Sequence, residues 1–433
     1  MAGPLQNVRV LEIAQVYAVP AAASLLADMG AIVTKVEPPW GDSTRYGRPI
    51  LPGEGKNYIG LNHGKRTICL DLGHAEARPV LDRLIAAADV LLVSLRDEQV
   101  ARYGLAYERC AALRPGLIYA INTALGSDGP LGGLGGYDMT VTALSGIGAQ
   151  QGYTRNGQLV AGTGVAVSDA ATSFLLVAAV SAALYHRAQS GVGQKIETSN
   201  LSSALNCQMQ TLNWFAATDP PLLEQFEQEL EQIRSRGGDF EAMQAARQQT
   251  LGRAPGANIY YRYYRTADGY IAVGALSPDL AVRFRAATGI EDPRQTPGFD
   301  SDRPEHRQQL ATLGERAEAV FATRSTDAWL ATLTAHRVPN ARLNFPEQAL
   351  DDEQTRANGY VVELEHEHVG AYRTPAPPIR MSATPLEIRA PAPPLDRHTD
   401  AVLGELGFDE GAIAALRAAG AAGRAAELKA DYH

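Results

Sequence analysis

Asp169 is the residue whose type and setting most directly carry chemistry. It stands between a small-residue, strand-like stretch, GTGVAVS at 162–168, and an Ala/Leu-rich run that reads as a well-buried helix from about 170 to 188, stopped by Gly191 and Gly193. Two roles suit a carboxylate there. As an N-cap, Asp169 would accept backbone N–H bonds and complement the helix dipole. As a nucleophile at the edge of a cleft, it would attack an acyl carbon and form an activated enzyme ester or anhydride. Local physics leaves both open.

Other chemistries lack their signs. The nine histidines form no HExxH or comparable ligand set; the HEH at 366–368 is the tightest group and reads as a solvated turn, so no metal is expected. No GxSxG elbow occurs, and TALSGIG at 142–148 reads as a small-residue helix. The segment after the first predicted strand is QVYAVP, without GxGxxG, which gives no support to a nicotinamide or flavin cofactor. Cys69, Cys110 and Cys207 are widely spaced and include no CxxC pair, as suits a reducing cytoplasm.

The elements that must position Asp169 alternate in type. VRVLEIA, a helical AVPAAASLLADMG, AIVTKVE, RTICLDL, a helical ARPVLDRLIAAA, DVLLVSL and GLIYAINTAL predict an α/β fold with a Rossmann-like parallel sheet in a large domain. Residues 1–200 are expected to form the first part of that domain, with 201–257 a polar, helical connecting arm containing EQFEQELEQIRSR. NIYYRYYRTADGYIAVGAL opens a smaller α+β domain over 258–335, and 336–433 return to complete the large one, running extended through TPAPPIR and APAPPL. At 433 residues two domains are the natural expectation. A formal net charge of −9 argues against a nucleic-acid partner. The N-terminus lacks a signal-peptide pattern, and charges are expected to break the Ala-rich runs before they reach membrane-spanning length.

Several separated segments together resemble the class III CoA transferases, which include the formyl-CoA:oxalate and carnitine-type enzymes. They are 8–45, LNHGKRTICLDL, GYD at 136–138, VAVSD ending at Asp169, SGVGQKIETS and PLDRHTDAVLGELG, so the resemblance covers nearly the whole chain. It implies an interlocked-ring homodimer and places the family's catalytic aspartate at Asp169. It also implies an acyl-CoA donor, a carboxylic acid acceptor, and coenzyme A as a substrate moiety with no permanently bound cofactor. In the implied mechanism Asp169 passes through an anhydride and an aspartyl-CoA thioester.

By the same resemblance Gln15, Tyr17 and Tyr137 line the acyl site, and Leu72, Arg96 and Arg102 contact CoA. The chain departs from the family's Glu-Asn-Phe-Arg-Pro-Gly segment, reading VSLRDE around Arg96. Gly132, Gly133, Gly135 and Gly136 are candidate oxyanion donors through their backbone N–H groups. Acyl-CoA racemases of the same fold place a histidine where Tyr137 stands, and tyrosine is a poor base near neutral pH. A noncatalytic CoA-binding protein is the remaining alternative. No basic side chain is evident beside Gly135 and Gly136 in the sequence, which argues against an oxalate-like acceptor.

Overall fold

The computed structural model describes residues 3–160, 164–251, 258–300 and 303–426. The apolar runs of the N-terminal half become six strands: β1 (Arg9–Ile13), β2 (Ile32–Glu37), β3 (Arg66–Cys69), β4 (Val90–Val93), β5 (Ile118–Thr123) and β6 (Gln194–Ser199). They lie side by side in the order β6-β5-β4-β1-β2-β3, and every pairing is parallel. This is the doubly wound order whose direction reverses between β1 and β4.

Strands covered on both faces need apolar side chains on both, and β4, VLLV, is buried at every position. On one face Leu11, Ile13, Leu91, Val93, Tyr119 and Ile121 pack under α2 (Ala77–Ala87) and residues Val402, Leu403, Leu416 and Ala422 of the returning C-terminal segment. On the other, Val10, Val33, Leu92 and Ala120 meet α1 (Ala18–Asp28) and a helix at Val167–Ser190. The return segment is stitched to β3 and its flank: Cys69 N–H donates to Thr399 Oγ1 at 3.0 Å, and Leu70 bridges Ala422.

Contact density separates the chain into two units. The larger holds residues up to Arg155, Leu159–Asn213 and the chain from Glu353 onward; the smaller holds Asn156–Gln158 and Trp214–Asp352. The polar helical segment beginning near 201 is therefore divided at Asn213/Trp214. In the smaller unit, strands Tyr261–Arg265, Tyr270–Gly274 and Asn340–Arg342 form an antiparallel sheet. Its core stacks Tyr264 on Phe321 with ring centroids 3.9 Å apart. Helices Asp219–Ser235 and Phe240–Leu251 bury no residue, in keeping with their Gln/Glu-rich composition.

Four local expectations need correction. The helix expected as well buried begins at Val167 and runs 24 residues, but buries only one face; Phe174 and Tyr185 are 56% and 69% exposed. Charges do not interrupt it early: by length and composition it is apolar enough to cross a membrane, although its Leu176, Val177, Val180 and Ala183 face packs in the core. Of GTGVAVS, residues 162 and 163 lie outside the described residues, and Val167 already belongs to the helix. Finally, HEH is a solvated turn only in part: Glu367 and His368 are exposed in a turn, but His366 is 1% exposed at the end of a strand, and His368 Nδ1 lies 2.9 Å from Glu54.

The carboxyl ends of β1 and β2 share a buried charge cluster. Lys35 Nζ lies 2.7 Å from Glu12 and 3.0 Å from Asp42, while Lys65 Nζ reaches the other Glu12 oxygen at 2.8 Å. Glu37 accepts from Arg45 Nε and Nη2, both at 2.8 Å, from Tyr58 at 2.9 Å, and from Thr67. Arg45 Nη2 also reaches the Pro393 carbonyl at 3.1 Å, which ties in the return segment. Buried ions are tolerated only when paired this fully, because removing one partner strands the others away from water. Glu12→Gln leaves the buried Lys65 ammonium without its carboxylate and Lys35 with Asp42 alone, and should destabilise the larger unit by about 3–5 kcal/mol. A thermal melt within 2 °C of the unaltered protein, about the shift that 1 kcal/mol produces in a domain of this size, would contradict this.

Candidate active site

In doubly wound sheets ligands bind outside the carboxyl ends of the strands, near the reversal of strand order. Gln15 follows β1, Leu72 follows β3, Arg96 follows β4, Asn122 lies near the end of β5, and Asn200 comes directly after β6. Of the residues singled out in the sequence, Gln15, Leu72 and Arg96 thus follow strand carboxyl ends along one edge of the larger unit, and Asn122 and Asn200 join them there.

The loop after β1 is held from below. Lys35 Nζ donates to the Ala14 carbonyl at 2.8 Å, and Val16 N–H points to Asp42 Oδ1 at 3.4 Å. Val16 has φ +75°, a left-handed conformation that a β-branched residue adopts only under constraint. The buried charge cluster supplies that constraint, leaving Gln15 exposed and Tyr17 half-buried at the start of α1. Burial raises the Tyr17 hydroxyl's pKa, and the nearby Asp169 and Asp138 charges raise it further.

The helix at Val167–Ser190, here α6, removes the N-cap reading of Asp169. Between α2 and α6 come α3 (Asp97–Tyr103), α4 (Tyr107–Leu113) and α5 (Asp138–Ser145). Asp169 is the third residue of α6, not its N-cap. Asp138, the first residue of α5, does the capping instead. Its Oδ1 accepts from Ser168 N–H at 2.8 Å and Ser168 Oγ at 2.6 Å, with Asp169 N–H at 3.4 Å. The buried hydroxyls of the first turn are satisfied within the helix, Thr172 donating to the Ser168 carbonyl at 2.8 Å and Ser173 to that of Ala170 at 2.7 Å.

The Asp169 side chain has a different partner. Asn200 Nδ2 donates to Asp169 Oδ1 at 2.6 Å, and Asn122 Nδ2 donates to Asn200 Oδ1 at 2.9 Å. Burial pushes the Asp169 carboxyl up to about 6; the Asn200 hydrogen bond opposes the rise and the Asp138 charge adds to it. A carboxylate held by a neutral amide, with no cation paired to it among the described residues, keeps its basicity and its nucleophilic character.

The other expected residues fall around this centre in different ways. Tyr137 is next to Asp138 but 69% exposed. Arg96 is exposed, and a Cβ placed on Gly135 would lie 3.7 Å from its Cδ, so the structure puts a basic side chain beside the glycine loop where the sequence showed none. Leu72 is half-buried against the sheet's core, and Arg102 lies over Gly73, where an added Cβ would meet its Nη2 at 3.4 Å. Within the glycine loop, Gly132 N–H is already engaged by the Gly129 carbonyl at 3.1 Å.

Sequence reasoning missed Asp138, Asn200 and Asn122. GYD contained the first, and the other two had one usable signal: amide side chains at the carboxyl ends of predicted parallel strands. Asp138→Asn keeps an acceptor for Ser168 while deleting the charge that helps raise Asp169. The Asp169 titration midpoint, read by carbodiimide labelling and peptide mass spectrometry, should move to lower pH with the fold retained. An unchanged midpoint would separate the two carboxylates electrostatically.

The sequence pattern of CoA-transferase family III matches residues 5–399. A succinate–glutarate CoA-transferase from Agrobacterium fabrum is 32% identical over 93% of this chain and 96% of its own length. The human succinyl-CoA:glutarate CoA-transferase is 30% identical over 96% and 89%. Among solved structures, a CAIB/BAIF family protein from Brucella suis superposes with a TM-score of 0.72 at 26% identity, covering 94% of this chain and 100% of that one. With a family match across most of its length and relatives of this similarity, the chain belongs to CoA-transferase family III.

Proposed function

We propose that this enzyme moves coenzyme A from an acyl-CoA donor to a carboxylic acid, with Asp169 as covalent relay. The observation that carries the reading is the division of labour at α6: Asp138 caps the helix, which leaves the Asp169 carboxylate free for chemistry. Its oxygen attacks the donor's acyl carbon and expels CoA thiolate, giving an aspartyl anhydride. Thiolate attack on the aspartyl carbon then releases the donor acid and forms aspartyl-CoA. The acceptor carboxylate reverses the sequence.

Gln15, Tyr17 and Tyr137 are assigned to the acyl site, and Leu72, Arg96 and Arg102 to the CoA moiety. The names of the Agrobacterium fabrum and human relatives support C4 and C5 dicarboxylates as donor and acceptor. For the working enzyme we propose a cytoplasmic, interlocked homodimer. The exposed Phe174 and Tyr185 on α6, with Met139 and Leu144 on α5, support burial of that surface by a second chain. Sedimentation at micromolar concentration should show a dimer; a folded monomer would contradict the assembly.

The chemical test is Asp169→Asn assayed with succinyl-CoA and glutarate. Asn can still accept from Asn200, so the fold should persist while transfer is lost. Because the folded carboxyl has a raised pKa, the ionised side chain costs stability as pH rises from about 4 through about 6. The variant should therefore be at least as stable as the unaltered protein at pH 8. With unaltered protein, kcat/KM should fall as pH drops below about 6, where Asp169 takes up its proton. Near-normal transfer by the folded Asn variant would refute the relay.

A further inference from the structure

Building on the Asp169 relay, we propose that Asn200 is a catalytic residue whose side-chain amide stabilises the oxyanion formed at the aspartyl carbon, with Asn122 setting its orientation. Asn200 is 5% exposed and Asn122 4% exposed, so water competes little with either amide. Asn122 Nδ2 donates to Asn200 Oδ1 at 2.9 Å, which fixes the Asn200 carbonyl towards Asn122 and turns its NH2 to Asp169 Oδ1 at 2.6 Å. One carboxylate oxygen is thereby engaged, and the geometry assigns nucleophilic attack to the other, Oδ2.

The electron movements give the amide a specific moment to act. In the first step an Oδ2 lone pair bonds to the donor's acyl carbon and the carbon–sulfur bond breaks, releasing thiolate. The negative charge of that tetrahedral species develops on the acyl oxygen, not on Asp169. In the second step thiolate sulfur bonds to Cγ, and the carbonyl electron pair moves onto Oδ1. When that pair re-forms the double bond, the Cγ–Oδ2 bond breaks and the donor acid departs as a carboxylate carrying the former Oδ2. In the third step an acceptor carboxylate oxygen attacks Cγ, Oδ1 again takes the charge, and thiolate leaves. Asn200 faces the oxygen that becomes the oxyanion in the second and third steps.

An amide suits this place better than a cation. Guanidinium or ammonium would bind the resting carboxylate tightly and depress its basicity, whereas a neutral donor gains most when full charge localises on one oxygen. Asn122 Oδ1 is buried with no hydrogen-bond partner among the described residues, so the contact to Asn200 is made through its NH2 alone.

The steps can be separated experimentally. Exchange of labelled free CoA into succinyl-CoA requires only the first step and its reversal; succinate release, and a CoA adduct on Asp169, require attack at Cγ. Asn200→Ala should slow succinate release and adduct formation by about 100-fold, the loss typical of one oxyanion donor, while CoA exchange changes by only a few-fold. Asn122→Ala, which leaves Asn200 in place but free to turn, should give the same pattern with a smaller loss. Equal slowing of exchange and release would assign Asn200 to ground-state positioning and overturn the proposal. So would unchanged succinate release in Asn200→Ala alongside an inactive Asp169→Asn. Retained transfer in Asp169→Asn would instead remove the relay itself.

Discussion

The hydrogen bonds from Ser168 to Asp138 are the interaction on which the site depends. A helix N-terminus leaves unsatisfied N–H groups that draw in any nearby carboxylate. Were Asp169 to satisfy them, its oxygens would be occupied and its basicity lowered. Asp138 reaches across from the start of another helix and takes that role, so Asp169 can face Asn200. The same contact joins the loop carrying Tyr137 to the start of α6, and it sets two carboxylates close enough for one to raise the other's pKa.

A second constraint supports the first from the opposite side. The charge cluster of Glu12, Lys35, Lys65 and Asp42 holds Ala14 and Val16, and with them the segment that presents Gln15 and Tyr17. Contacts from the cluster to Ala14 and to Val16 N–H flank the left-handed Val16. Arg45 extends the network to Pro393, which links the C-terminal return to the same end of the sheet. That edge of the sheet is thus fixed by polar contacts that run from Glu12 to Pro393.

Much of this was legible in the sequence. Alternating apolar runs and helices announced the parallel sheet, because burial on both faces leaves few alternatives for VLLV or LIYAIN. Asp169 was visible from its place at the start of the Ala/Leu helix. Its hydrogen-bond partners were not, since Asp138 and Asn200 each lie 31 residues away and meet it only through tertiary folding. The half-exposed face of α6 was hidden for another reason: composition reports that Phe174 and Tyr185 are apolar, but not whether the same chain covers them. His366 was misread because its neighbour Glu54 comes from a distant segment.

Oxygen bookkeeping tests the central claim most directly. If the acceptor acid joins Asp169 through an anhydride, the bridging oxygen comes from the acid and stays on the aspartate when thiolate attacks the acceptor's acyl carbon. Turnover of succinyl-CoA with 18O-labelled glutarate, followed by peptide mass spectrometry, should therefore place the label in the Asp169 carboxylate. Complete turnover without label in that peptide would contradict a covalent aspartyl relay.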